Sequence, residues 1–260
     1  MPGCTEHPAP GTLADWVRRL EHHLTALGLT RAVIVHSVVY GEDDAPTARA
    51  IEMLGDTRAR GVALVRPEID GTALDRLHAA GFRGVRLNLS FPGALDVAGL
   101  RALAPRLADR GWHALVNVPR YTGIDLPGLL WALDGLPIPV VLDHYGYPDL
   151  AAGVNPAVLR RVGAGDLWVK LSAGYRQCDP PYDALDPIVR QLAEANPDRL
   201  LWASDWPHVR WAGAMPDDAA QLDALTRQIP DPGLRKKILA DNPAVLYDFG
   251  PAHGAPSRER

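Results

Sequence analysis

The feature that most limits what this chain can become is a sevenfold alternation. Ala32–His36, Gly61–Val65, Gly84–Leu89, Trp112–Val118, Val140–His144, Trp168–Ser172 and Leu200–Asp205 read as strands. Each is followed by a helically patterned stretch: Ala45–Leu54, Gly71–Ala80, Val97–Asp109, Leu126–Leu133, Asn155–Val162, Tyr182–Ala195, then Asp217–Gln228 with Pro232–Ala240. Near-continuous apolar strands alternating with amphipathic helices mean a parallel sheet buried on both faces. A further helix precedes them, with Leu13, Trp16, Val17, Leu20, Leu24 and Leu27 on one face and Gly28 as its stop. Seven strands behind a leading helix predict an α/β fold of the (β/α)8 TIM type, its first strand lacking or truncated. An open doubly wound sheet is the rival, but no Gly-rich phosphate turn marks a switch point for it. Residues 1–11, rich in Pro and Gly, read as an arm, 12–249 as one barrel domain and 250–260 as a flexible tail.

Composition then narrows the partners. The chain of 260 residues carries a net charge of −4 and no long basic cluster, so no nucleic-acid face is expected. No apolar run approaches the ~20 residues of a membrane span, and Met1–Thr12 lacks a signal peptide's apolar core. Cys4 and Cys178 make neither a metal pair nor a disulfide framework, which points to a reducing cytoplasm.

A parallel barrel carries its chemistry at the carboxyl ends of its strands, so the polar residues there are the candidates. In LLWASDWPH, Asp205 ends the last strand and His208 follows three residues later. A carboxylate beside an imidazole activates water as a general base. Asp143-His144 ends another strand; alternation turns only one of the two inward, and His144 is the one nearer the rim. Arg86 sits inside a strand, where an unpaired guanidinium is costly, so it must meet a partner or the pocket. With Arg176 it forms a pair suited to bidentate capture of carboxylate or phosphate. Ser37 and Tyr40 follow the first strand as ligand hydrogen-bonding candidates, with His36 as a third group facing the pocket. Lys170 faces either inward or toward the helices. His22, His23, His78 and His253, on helices or the tail, are expected in solvent. A catalytic zinc takes about three protein ligands, yet no His-x-His occurs, so neither metal nor other cofactor is expected.

GVRLNL, VVLDHYGYPD, WVKLSAGYR, PDRLLWASDWPH and DNPAVLYDF, in this order and spacing, resemble the amidohydrolase-related family of TIM barrels. The branch they resemble is that of the 2-pyrone-4,6-dicarboxylate lactonase-like hydrolases, from about Leu13 to Phe249. The resemblance implies that Asp205 activates water without a divalent metal, that His144 polarises an ester carbonyl and that Arg86 and Arg176 grip carboxylates. His208 matches a histidine lying beside the aspartate. Two departures stand out. Family members open with a strand bearing Asp-x-His-x-His, for which this chain has no match. An arginine of the branch's pattern is replaced by Tyr147, and another is missing near Pro92. Fewer cationic grips imply a less anionic, more aromatic ligand facing Tyr121, Tyr145, Tyr147 and Trp206. A missing strand would also expose two edges, which an arm or a second copy of the chain would have to cover.

The resulting expectation is a hydrolase of an ester or lactone of a small cyclic carboxylic acid. A metal-dependent amidohydrolase or decarboxylase and a non-catalytic ligand-binding relative remain as alternatives.

Overall fold

A computed structural model describes residues 11–89, 95–118 and 125–250. The described residues contain seven strands: β1 (Ala32–Val35), β2 (Ala59–Ala63), β3 (Phe82–Asn88), β4 (His113–Asn117), β5 (Val140–Leu142), β6 (Leu167–Ser172) and β7 (Leu200–Ala203). All pair in parallel in the order of the chain, with one register shift at Gly61/Val62. The sheet is curled, and no pairing joins β7 back to β1 among the described residues. Helix α1 (Leu13–Ala26) precedes β1. Between successive strands lie α2 (Ala45–Leu54), α3 (Gly71–Ala79), α4 (Val97–Ala108), α5 (Leu126–Ala132), α6 (Pro156–Ala164) and α7 (Asp186–Ala195). After β7 come α8 (Asp218–Gln228), α9 (Pro232–Lys236), a π-helical turn Lys237–Asp241 and α10 (Asn242–Leu246). That turn interrupts the helix expected over Pro232–Ala240. Helix α7 starts four residues later than expected, because Tyr182 sits at φ 69 and closes a loop.

The helices start where their caps dictate. Thr12 and Asp15 close a capping box on α1, and the Asp70, Asp96, Asn155 and Asp217 side chains accept first-turn amides of α3, α4, α6 and α8. Each such cap stabilises its helix by about 1 kcal/mol. Among the described residues, no helix is long and apolar enough to cross a membrane.

Two apolar layers sandwich the sheet. The larger lies under the helices, with Leu74, Leu100, Leu103, Val158, Ile188 and Leu192 among its fully buried members. The smaller fills the concave interior with Val62, Leu115, Val141, Trp168 and Leu201, and the C-terminal Tyr247 and Phe249 floor it. Arg60 fastens that floor: Nε donates to the Tyr247 carbonyl (3.2 Å) and Nη2 to that of Asp248 (2.8 Å), over the Phe249 ring. His113, fully buried on β4, lies edge-on to Tyr247 at 5.0 Å. Burial first, and Lys170 second, pull its imidazole down to about 3, so it stays neutral. It also explains Gly84, where a Cβ would come within 2.5 Å of the His113 ring.

Period-two alternation sets what stands above this layer. On β4 it carries His113, Leu115 and Asn117 to one face, and on β6 Trp168, Lys170 and Ser172, so the interior turns from apolar to polar toward the carboxyl ends.

Candidate active site

A cavity of about 1260 Å³ opens on those strand ends. Its polar wall holds Arg86, Asp143, His144, Lys170, Arg176 and Asp205, and its apolar arm runs beneath α1 between β1 and β7.

Strand β5 stops at Leu142, two residues short of the expected end. Asp143 is extended, whereas His144 turns into the left-handed region at φ 51, followed by Tyr145 at 60. The reversal breaks strand alternation, so Asp143 and His144 both line the cavity, correcting the expectation that only one would. Asp143 is buried and receives Lys170 Nζ at 2.8 Å and Asn117 Nδ2 at 3.4 Å. Burial alone would raise its carboxyl, but Lys170, His144 and Arg86 outweigh that and hold it below the usual range. Burial likewise opposes the Lys170 ammonium, and Asp143 prevails and raises it. Lys170 is therefore an inward, paired cation.

His144 is oriented by Ser172 at the end of β6. The Ser172 Oγ accepts the His144 backbone N–H at 3.3 Å and lies 3.0 Å from Nδ1. Its hydroxyl hydrogen is available to donate to Nδ1, and in that tautomer the ring carries its own hydrogen on Nε2. Tyr147, edge-on to His144, uses its hydroxyl to accept the Val118 amide at 2.8 Å. Burial, then Asp143, keep that phenol well above its ordinary value.

Asp205 follows β7 with φ 68. Its Oδ2 accepts the Tyr175 hydroxyl at 2.6 Å and Arg176 Nε at 3.2 Å. Arg176 also donates to the Val209 carbonyl (2.7 Å) and lies over the Tyr175 ring, so this guanidinium is built into the Asp205 wall. Arg86 differs. It lines the cavity half-buried, and its buried Nε has no hydrogen-bond partner among the described residues. Ser37 and Tyr40 lie on the lining near β1, Tyr40 half-exposed at the rim.

Four histidines fall elsewhere than expected. His208 is buried and absent from the cavity lining; Nε2 meets Asp218 Oδ2 on α8 at 3.0 Å, and only its backbone amide meets Asp205. His36 is fully buried behind β1, between Thr47 Oγ1 (2.8 Å) and the Gly41 carbonyl (3.1 Å). His23 is not in solvent: it stacks on Trp206 at 5.5 Å, 3.3 Å from Asp218 Oδ2. His78 is half-buried and accepts Trp112 Nε1 at 3.0 Å. Pro92, Tyr121, Cys4 and His253 lie outside the described residues, as do residues 1–10 of the arm and 251–260 of the tail. Tyr175, Ser172 and Asn117 carry site contacts that the sequence reading missed. A tyrosine directly before Arg176 in the loop after β6 was the available signal for the first.

Among the described residues, no three His, Cys, Asp or Glu gather to hold a metal ion. The side chains themselves offer a carboxylate with one oxygen loaded by donors, an imidazole N–H and a guanidinium, around one cavity. That set can take a proton from water, stabilise a carbonyl oxygen and bind an anion.

Comparison with known proteins gives this set a context. Residues 9–249 match the amidohydrolase family. The chain is 35% identical over 251 residues to a 4-sulfomuconolactone hydrolase of Rhizobium radiobacter, covering 92% of this chain and 81% of that one. It is 34% identical to a 2-pyrone-4,6-dicarboxylate hydrolase of Comamonas testosteroni, over 85% of this chain and 77% of that one. A crystal structure of a probable 2-pyrone-4,6-dicarboxylic acid hydrolase from Acinetobacter baumannii, with citric acid bound, superposes with a TM-score of 0.77. The two share 25% identity over 96% of this chain and 94% of that one. With residues 9–249 matched and the polar strand ends gathered on one cavity, the chain belongs to the amidohydrolase family.

Proposed function

We propose that this protein is a cytoplasmic hydrolase of esters or lactones of small cyclic carboxylic acids, working without a metal. The observation that carries the reading is the convergence of Asp205, His144 and Arg86 on one cavity. Arg86, with an unpartnered donor, binds the substrate carboxylate. Asp205 takes a proton from a water that attacks the carbonyl carbon, and the Nε2–H of His144 stabilises the developing oxyanion. Collapse breaks the acyl–oxygen bond, and the leaving alkoxide recovers the proton from Asp205. One oxyanion donor contributes about 3–4 kcal/mol of barrier lowering. The named relatives act on lactones bearing acidic groups. Tyr147 and Trp206 on the cavity lining favour a less anionic, more aromatic acid here, whereas Tyr145, expected to face the ligand, is buried in the core.

The test is acid release in a pH-stat, with protein dialysed against a chelator and lactones carrying no, one or two carboxylates. Fastest turnover is expected for an aromatic monocarboxylate, unchanged by chelation. Activity lost on chelation and restored by zinc or manganese would establish the metal-dependent alternative. Ligand binding with no turnover would establish a binding protein.

The barrel reading includes an eighth strand between β1 and β7. Trp16, Leu20 and Leu24 of α1, Val33 of β1 and Leu201 of β7 line the apolar arm of the cavity there, and neither strand has a partner on that side among the described residues. A second copy of the chain covering these edges is the other arrangement that satisfies their backbone groups. Fusing an N-terminal strand bearing Asp-x-His-x-His ahead of Pro2 is expected to raise the melting temperature and to increase kcat by about 10²-fold, the scale of one oxyanion donor. A fusion that gains neither would refute the eighth strand.

A further inference from the structure

We propose that Tyr175 is a positioning residue for Asp205, set by a buried relay of His208, Asp218 and Gln221. This inference rests on the reading of Asp205 as the base.

The Tyr175 hydroxyl and Arg176 Nε both donate to Oδ2 of Asp205. With that oxygen saturated, Oδ1 is the one left to accept a proton from water, and the carboxylate is barred from rotating. A carboxylate turned by a side chain must have that side chain fixed in its turn. The Tyr175 ring is wedged edge-on between His208 (5.0 Å, 88°) and Trp211 (4.9 Å, 77°). His208 is held through Nε2 by Asp218 Oδ2, and Asp218 Oδ1 accepts Gln221 Nε2 at 2.5 Å. Gln221 closes the circuit at both ends. Its Oε1 accepts the amide of Gly174, next to Tyr175, at 2.9 Å, and its Nε2 reaches the carbonyl of Ser204, next to Asp205, at 3.4 Å. Asp218 and Gln221 are both buried on the inner side of α8. One helix turn thus sets the spacing between the donor and the acceptor of the Tyr175–Asp205 bond. The DWPH histidine acquires a role by the same route: it braces the tyrosine and does not meet the substrate.

Two groups bond the Asp205 carboxylate, Tyr175 and Arg176. Arg86 on β3, His144 and Tyr147 after β5 and the Asp143–Lys170 pair line the same cavity. Behind Tyr175 lie His208 and Asp218, with His23 of α1 on the far side of Asp218. Removing the Tyr175 hydroxyl takes away one of the two donors that hold Oδ2, so the carboxylate is freer to turn and Oδ1 is less often aimed at the attacking water.

The experiment compares kcat and KM of wild type, Tyr175→Phe, Asp218→Asn and Asp205→Asn in lactone hydrolysis. Tyr175→Phe is expected to cut kcat about tenfold with KM within about twofold. Asp218→Asn is expected to cut kcat in the same way by less, and it serves as the test if Tyr175→Phe does not fold. A KM that rises while kcat holds in both variants would show a binding or purely structural role and would overturn the inference. Wild-type kcat in Tyr175→Phe, with Asp205→Asn dead, would overturn it alone. Asp205→Asn at full activity would overturn the base assignment and this inference together.

Discussion

Asp205→Asn leaves a folded protein that still binds its ligand and hydrolyses it at least about 10³-fold more slowly, within the range a general base supplies. The substitution isolates the proton-transfer function. Asparagine keeps an oxygen for the Tyr175 hydroxyl, so the bond now 2.6 Å long has a surviving acceptor. Arg176 loses its anionic partner but retains the Val209 carbonyl and its place over the Tyr175 ring. Asp205 and Arg176 are only partly buried, so the missing ion pair costs little stability. What the amide cannot do is accept a proton. The checks are steady-state hydrolysis, ligand binding by calorimetry and thermal melting. A variant keeping a tenth of wild-type kcat removes Asp205 from the mechanism.

The second large effect is on stability. Lys170→Met leaves Asp143 buried without its nearest counter-charge. Breaking a buried pair from one side costs about 3–5 kcal/mol, here toward the lower end because Arg86 and His144 also favour the carboxylate. At roughly 2–4 °C per kcal/mol for a domain of this size, the midpoint falls by roughly 10 °C. The pH dependence has a definite sign. The Asp143 carboxyl is lowered on folding, so its contribution is full above the unfolded carboxylate value and is lost as pH falls through the folded one. The Lys170 ammonium is raised, so its contribution is full below the unfolded lysine value and is lost as pH rises through the folded one. The gap between wild type and Lys170→Met is therefore widest at neutral pH and narrows in acid as Asp143 protonates. Adding Asp143→Leu to Lys170→Met should recover most of the loss, since two apolar groups then replace the pair. A pH-independent gap, or a double variant no better than the single, contradicts this account.

The strands were legible because both of their faces are buried. Leu167–Ser172 needs no alternation to be read, and β7 required only the apolar Leu200–Ala203. Strand ends were harder where side chains leave the pattern, as at Asp143, which β6 captures through Lys170, and at His144, which reverses the backbone. The chemically active residue types were visible, but their partners were not. His208 looks like a companion of Asp205 three residues away. The contact that decides its position is Asp218, ten residues on and on a helix whose placement no local pattern encodes. His36 turns from the cavity for the same reason, its partner Thr47 being the next helix's contribution. Arg176 reads as a free grip in the sequence, and the fold sets Asp205 beside it. Arg86 was the opposite case: the burial cost of a strand arginine is an argument about one residue alone, and it sufficed to aim that side chain at the cavity.

Trp206 links two parts of the molecule that lie 190 residues apart in the chain. Its indole is gripped by Trp16 at 5.8 Å and by His23, both on α1, while the neighbouring residue in sequence is the site aspartate. The leading helix therefore packs directly against the loop that carries Asp205. On the proposal that Asp205 is the base, whatever shifts the seating of that helix also shifts the aim of the acid one peptide away.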